Sequence, residues 1–192
     1  MKARERIFVY LIGLGIGILI VSMLLSRRAD KAERSVDPWL AHNKAIISEG
    51  AAEPLPKTLP RALKEGEILE FGYLPVDSEA PSERVWILNF DASYPYVRVV
   101  QSLESGALEM TAADQIVVHL KPGVDVTELS PMLEALGLRL RMFNRKEDLA
   151  VVGVLNTDLD TVPATIKALQ PWAELFASAE PDYIRLQPER PE

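Results

Sequence analysis

The sequence predicts an α+β protein: a single N-terminal transmembrane helix, then a small β meander, then a ferredoxin-like β-α-β-β-α-β domain. Three patterns lead to this prediction. Residues 7–25 form an apolar run without a charge. Residues 67–112 contain short runs rich in β-branched and aromatic residues, separated by turn residues, as in antiparallel strands. Residues 113–187 alternate between strand and helix periodicity.

The apolar run at residues 7–25 is long enough to cross a bilayer. A helix of this length measures roughly 28 Å, close to the ~30 Å hydrocarbon core. The alternative is a cleaved signal peptide. However, the run exceeds the usual apolar region of about 7–15 residues, and no A-x-A-like site precedes Ser26. We therefore expect an uncleaved single-pass anchor, with its flanks, over residues 1–28, which places the lipid bilayer among the partners.

Charges around this run bear on its orientation. Basic residues are nearly balanced before and after it, so the positive-inside count decides little. Because a short tail stays readily in the cytoplasm, we expect a cytoplasmic N-terminus and a periplasmic or extracellular C-terminal domain. Gly13 and Gly17 form a small-xxx-small pair that permits a weak homodimer through the membrane helix. The alternative is that glycine is simply common in such helices.

Composition excludes several function classes. The net charge of -7 and the absence of a basic stripe argue against nucleic-acid binding. The chain has no cysteine, which excludes disulfides and thiolate chemistry. Its two histidines, His42 and His119, resemble no positioned base of a Ser-His-Asp triad. We expect no enzyme activity, no cofactor and no metal site.

The region between anchor and meander, residues 29–66, is predicted to be a stalk and spacer. Asp37 and Pro38 fit the cap and first turn of a short helix. Residues 49–61 are rich in proline, which favours an extended, semi-rigid spacer. Such a spacer would lift the folded part off the bilayer.

The C-terminal domain over 113–187 shows the clearest element order. Its helices and strands are predicted as follows: a strand over 115–121, a helix capped by Asp125 or Thr127 and stopped at Gly137, strands over 138–144 and 149–155, a helix starting at Asp160 or Thr161, and a last strand around 183–186. Right-handed crossovers then give a four-stranded antiparallel sheet with both helices on one face. Residues 188–192 are predicted to be a loose tail.

Two segments of this domain carry a family resemblance. The strand leading into Lys121-Pro122-Gly123 and the segment from Ala168 to Tyr183, ending in Ala-Glu-Pro-Asp-Tyr, are spaced around the β-α-β-β-α-β order. Together they resemble the propeptide domain of subtilisin-like serine proteases, closest to the fervidolysin-type prodomain and related inhibitor domains. The resemblance covers residues 114–183.

The resemblance implies a protein-binding role. In that family the open sheet face packs on two protease helices, and the segment after the last strand lies in the substrate groove by strand addition. The corresponding residues here are Glu180, Pro181, Asp182, Tyr183, Ile184 and Arg185. Glu147 and Asp148 are candidates for contacting protease helix N-termini, with a solvated turn as the alternative.

No subtilisin-like catalytic motif is present in the sequence, so the implied protease would be bound in trans. The first hypothesis is a membrane-anchored, non-catalytic domain acting as inhibitor or folding helper. The alternative is a structural or scaffolding protein of the cell envelope that reuses the prodomain fold. The carboxylate pair Asp158 and Asp160 is read as helix-start residues, and Glu180 with Asp182 lacks a third metal ligand.

Overall fold

A computed structural model describes residues 38–76, 78–90 and 96–185. The predicted anchor over 7–25, with Gly13 and Gly17, lies outside these residues, as does the predicted tail over 188–192. Within the described ranges, none of the helices combines the length and the apolar character needed to cross a membrane.

The described chain is an α+β structure, which confirms the predicted class. Four α-helices are present in the described ranges: α1 (Pro38–Ser48), α2 (Arg61–Lys64), α3 (Ser130–Leu136) and α4 (Thr161–Ala168). The strands are β1 (Glu67–Leu74), β2 (Glu83–Asn89), β3 (Tyr96–Ser102), β4 (Leu108–Leu120), β5 (Arg139–Asn144), β6 (Leu149–Gly153) and β7 (Phe176–Tyr183). Short 3-10 turns precede α3 and follow α4.

All strands belong to one antiparallel seven-stranded sheet of order β1-β2-β3-β4-β6-β5, with β7 paired to β4. Thr111 of β4 pairs with both β3 and β7, whereas Val117 pairs with both β6 and β7. Strands β3 and β6 therefore follow one another along one edge of β4, and β7 runs along the other. The predicted division between residues 112 and 113 falls inside β4.

A β-bulge interrupts β4 between its two halves. The register against β7 shifts between Thr111 and Ile116. A bulge adds residues on one strand only, so neighbouring side chains there need not point to opposite sides of the sheet. Asp114 and Gln115 accordingly lie on the same side, where both contact Arg141. Beyond the bulge, alternation resumes, and Ile116 lies in the core.

Local sequence signals set the helix ends. Asp125 caps the turn before α3: its carboxylate accepts the Thr127 N–H, and the Glu128 side chain accepts the Asp125 N–H. Gly137 ends α3 at φ 65°, a left-handed conformation that suits glycine. Asp160 occupies the cap position of α4, although its side chain makes no capping hydrogen bond.

Helices α3 and α4 lie on the same side of the sheet, over β4, β6 and β7. Apolar side chains of both helices and of the residue that follows α4 pack into this core, including the fully buried Met132 and Leu169. The sheet contributes alternating residues of β4, namely Ile116, Val118 and Leu120. We call this the helix side of the sheet.

The other side of the meander is covered by residues 42–63, which differ here from the predicted extended spacer. Leu59 and Leu63 are 2% and 6% exposed and pack against the fully buried Trp86 and its neighbours. The prolines prevent a long helix, but they do not prevent the intervening apolar side chains from packing on the sheet. This segment is therefore part of the folded core.

Polar contacts fix the same segment on the sheet. Asn43 is buried; its side-chain amide donates to the Gly66 carbonyl and accepts a hydrogen bond from the Ile68 N–H. These bonds satisfy two backbone groups at the start of β1. Tyr73 and Arg84 both donate to the Glu53 carboxylate. The Tyr73 hydrogen bond is the main reason that the pKa of Glu53 is lowered.

On the helix side, the loop before α4 joins the meander to the C-terminal part through Leu159. This side chain packs against the buried Val85, Ile87 and Val100. It also lies against the backbone at Gly72, where a larger residue would collide with it. The Leu159 carbonyl accepts a hydrogen bond of 3.0 Å from the Arg98 Nε. We call these contacts the Leu159 latch.

Removing the Glu70 charge should stabilise the protein at neutral pH. Burial, followed by the nearby charges of Asp158 and Asp160, raises the pKa of Glu70. The native state thus holds this proton more tightly than the unfolded chain, and stability falls as pH rises above about 4.3. We expect Glu70→Gln, which keeps the acceptor oxygen, to raise the free energy of unfolding by roughly 0.2–1 kcal/mol at pH 7.

Urea unfolding at pH 7 and pH 4 measures this effect. The gain should shrink at pH 4, where wild-type Glu70 is largely protonated. Glu104→Gln, an exposed carboxylate in the β3–β4 turn, is the control for the loss of one negative charge. A gain in stability that is equal for the Glu70 and Glu104 variants, or unchanged at pH 4, would show that the Glu70 charge does not destabilise the native state.

Candidate docking surface

Part of the sheet surface opposite the helices has no covering element among the described residues. Residues 42–63 pack on the meander half of that side. The remaining half carries two rows of directly paired residues, which are partly or fully exposed except for the buried Val151. These rows are Val151, Val117 and Glu180, and Leu149, His119 and Ser178. Together with Gln115, Arg141 and Asp182, we call these residues the open face.

Arg141 organises one end of the open face. It occupies an extra position in β5, where the register shifts between Leu140 and Met142. Its side chain crosses Gly153 of β6, where glycine leaves room for it. The guanidinium donates at 2.7 Å to Asp114 and at 2.8 Å to Gln115.

The chain of polar contacts continues across β4 to β7. Gln115 donates through its amide to the Asp182 carboxylate. Farther along, His119 and Glu180 lie 3.3 Å apart. These contacts restrict the side-chain rotamers before any partner arrives, which lowers the entropy cost of binding. Val117 lies between the two polar pairs and is half-buried.

The predicted groove-binding residues are placed differently from the expected free segment. Glu180, Pro181, Asp182 and Tyr183 belong to β7, where they pair with β4. The last strand therefore begins and ends earlier than the predicted 183–186 strand. Alanine, proline and aspartate have low strand propensity, and pairing with the long β4 overrides that preference.

The last two predicted groove residues, Ile184 and Arg185, lie just after β7 and differ in burial. The Ile184 N–H donates to the Met110 carbonyl and its side chain packs on the meander core, whereas Arg185 is exposed. Pro181 lacks an N–H, so a strand added along the outer edge of β7 would lose a donor there. Glu180 and Asp182 are instead available through the open face.

The remaining candidate residues form no second site with them. Glu147 and Asp148 are exposed in the β5–β6 turn, where Asp148 adopts φ 47°. His42 contacts the Ile68 carbonyl at 3.1 Å, next to the buried Asn43. In the described part of the chain, no group of three or more histidine or acidic side chains has a metal-binding arrangement.

Sequence reasoning missed Arg141, Asp114 and Gln115. Alternation in Leu-Arg-Leu-Arg places Arg139 and Arg141 on one face of β5 and was the available signal for an outward cation. The partner Asp114 lies one residue before the predicted strand over 115–121, and no role was predicted for it. Its burial depends on the bulge in β4, which no local pattern announces.

Comparison of the chain with protein-family models, with curated proteins and with solved structures gives no match.

Loss of the Arg141 guanidinium should destabilise the protein. Its partner Asp114 has a side chain only 8% exposed, so Arg141→Met leaves a buried carboxylate without its counter-ion. We expect a loss of about 1–3 kcal/mol in the free energy of unfolding, measured by urea denaturation. Arg139→Met, at an exposed position of the same strand, is the matched control and should change it by less than about 0.5 kcal/mol.

The double variant Arg141→Met with Asp114→Asn identifies the cause. Because the asparagine removes the unpaired charge, part of the lost stability should return. Equal losses in the Arg141 and Arg139 variants, or no recovery in the double variant, would show that the Arg141–Asp114 pair does not hold this end of the face.

Proposed function

We propose that this chain is a non-catalytic interaction domain that binds a subtilisin-like serine protease in trans, as an inhibitor or folding helper. In this proposal residues 7–25 anchor it in the membrane, with the C-terminal domain outside the cytoplasm. The observation that carries the proposal is the open face: half of one side of the sheet is uncovered by any described element, yet its side chains are ordered by mutual contacts.

The topology supports the resemblance to a protease propeptide. The strand order β7-β4-β6-β5, with α3 and α4 together on one side of these strands, is compatible with the expected ferredoxin-like β-α-β-β-α-β domain. The resemblance implies docking through the sheet surface opposite the helices. That surface is the one left open here.

The chemistry of the open face fits helix ends on a partner. Glu180 and Asp182 present carboxylates, which are favourable at helix N-termini because the helix dipole is positive there. Val117 supplies a half-buried apolar contact between them and β6. Because Pro181 has no backbone N–H, a strand added along β7 would lose one hydrogen bond and bind more weakly. We therefore assign docking to the open face.

The scaffold function remains a second candidate because of residues 42–63. They cover the meander half of the same side, and β4 joins that half to the C-terminal part in one sheet. A structural protein would use such a continuous body without needing a protease. The two candidates differ in whether the open face binds a protease.

The proposal is tested with the full chain in detergent micelles against a panel of purified subtilisin-like proteases. We expect saturable inhibition with Kd below about 1 μM for at least one protease, or a higher refolding yield of that protease. Val117→Arg should weaken binding at least about tenfold, because it places a charge in the contact. Ala135→Arg, exposed on α3, is the matched control and should change it by less than about twofold.

Thermal unfolding of both arginine variants separates a loss of docking from a loss of folding. Equal inhibition by the Val117 and Ala135 variants contradicts docking through the open face. Absence of inhibition and of refolding assistance across the whole panel contradicts the protease partner and favours the scaffold.

A further inference from the structure

Two adjoining cavities lie on the helix side of the sheet, between α4 and the meander. Their volumes are about 420 and 360 Å³, and both are bounded by Leu74, Glu83 and Pro163. This size is within the usual range for small-molecule sites. They are separated from the open face by the thickness of the sheet.

Arg98 faces the smaller cavity and is only 5% exposed. Its Nε donates to the Leu159 carbonyl. Within the described part of the chain, no carboxylate lies within 4.0 Å of its guanidinium, although Glu83, Glu109 and Asp160 act on it from farther away. Burial is the main cause that lowers the pKa of Arg98.

A buried guanidinium without a close counter-ion is costly, and a carboxylate that approaches it forms two parallel hydrogen bonds. The terminal nitrogens of Arg98 thus offer a strong site for a ligand carboxylate. The hydrogen bond from Nε to the Leu159 carbonyl orients the side chain and leaves the two terminal nitrogens available.

A second unpaired polar group neighbours Arg98. Thr111 is directly opposite Arg98 in the β3–β4 pairing, so both side chains lie on the helix side. Thr111 is fully buried, and its hydroxyl has no hydrogen-bond partner among the described residues. Most buried hydroxyls are paired, so the unpaired Thr111 hydroxyl marks a polar position beside Arg98, although Thr111 does not itself line the cavity.

The walls of the cavity restrict what the ligand is. Glu83 and Glu109 line it with Arg98, which disfavours phosphate and dicarboxylates and favours a ligand that also carries an ammonium group. Val162, Ile166 and Pro181 supply an apolar wall. A carboxylate, an ammonium and a short aliphatic group are therefore all accommodated in one small space.

We propose that this cavity binds a free amino acid with an aliphatic side chain. The carboxylate pairs with Arg98, the ammonium faces Glu83 and Glu109, and the side chain packs on α4. This site is independent of docking through the open face.

Isothermal titration of the full chain in detergent micelles with L-leucine tests the site. We expect saturable binding with Kd below about 1 mM. Two probes dissect the recognition: 4-methylpentanoate lacks the ammonium, and isopentylamine lacks the carboxylate. Each should bind at least about tenfold more weakly, since each leaves one charged group of the cavity unpaired.

Variants assign the two ends of the ligand. Arg98→Gln should abolish leucine binding while thermal unfolding shows a folded protein. Glu109→Gln, at an exposed position, should weaken leucine at least about threefold and leave 4-methylpentanoate no weaker. Glu104→Gln is the control and should change neither. If Arg98→Gln does not fold, the Glu109 variant decides.

Absence of a saturable signal for leucine up to about 10 mM overturns the proposal. So does equal binding of leucine and 4-methylpentanoate, or equal leucine affinity in the Glu109 and Glu104 variants.

Discussion

Strand β4 has hydrogen-bonded neighbours on both of its edges, and every other strand reaches the sheet through it. β3 and β6 share one edge, and β7 occupies the other along nearly the whole length. Without β4 the meander and the C-terminal strands would be separate sheets with unpaired edges. The bulge near Asp114 lets one strand serve both halves and brings the buried carboxylate to Arg141.

Both proposed sites use side chains of this strand. Gln115, Val117 and His119 belong to the open face, whereas Glu109 and Thr111 belong to the helix side near Arg98. On the helix side, the Leu159 latch holds the loop before α4 against the meander, because Arg98 donates a hydrogen bond to the Leu159 carbonyl. Docking and ligand recognition are thus placed on opposite surfaces of one element.

Much of the C-terminal part was predictable because its signals are local. Capping by Asp125 and termination at Gly137 depend on a few neighbouring residues, and the apolar run of β6 matches a strand that is buried at nearly every position. The continuity of β4 was not predictable. Ala112 and Ala113 carry little strand propensity, and they are buried only because distant strands pair around them. Likewise the packing of Leu59 and Leu63 needs the meander as its partner, and proline density alone indicated a spacer.

Native-state hydrogen exchange followed by NMR, on the full chain, tests most directly whether β4 unites the two halves. If it does, the most protected amides of β2 and β3 and those of β6 and β7 will exchange with the same free energy of opening and the same denaturant dependence, as expected of one cooperative unit. A meander that opens at a free energy lower by more than about 2 kcal/mol, while β6 and β7 stay protected, would contradict this account.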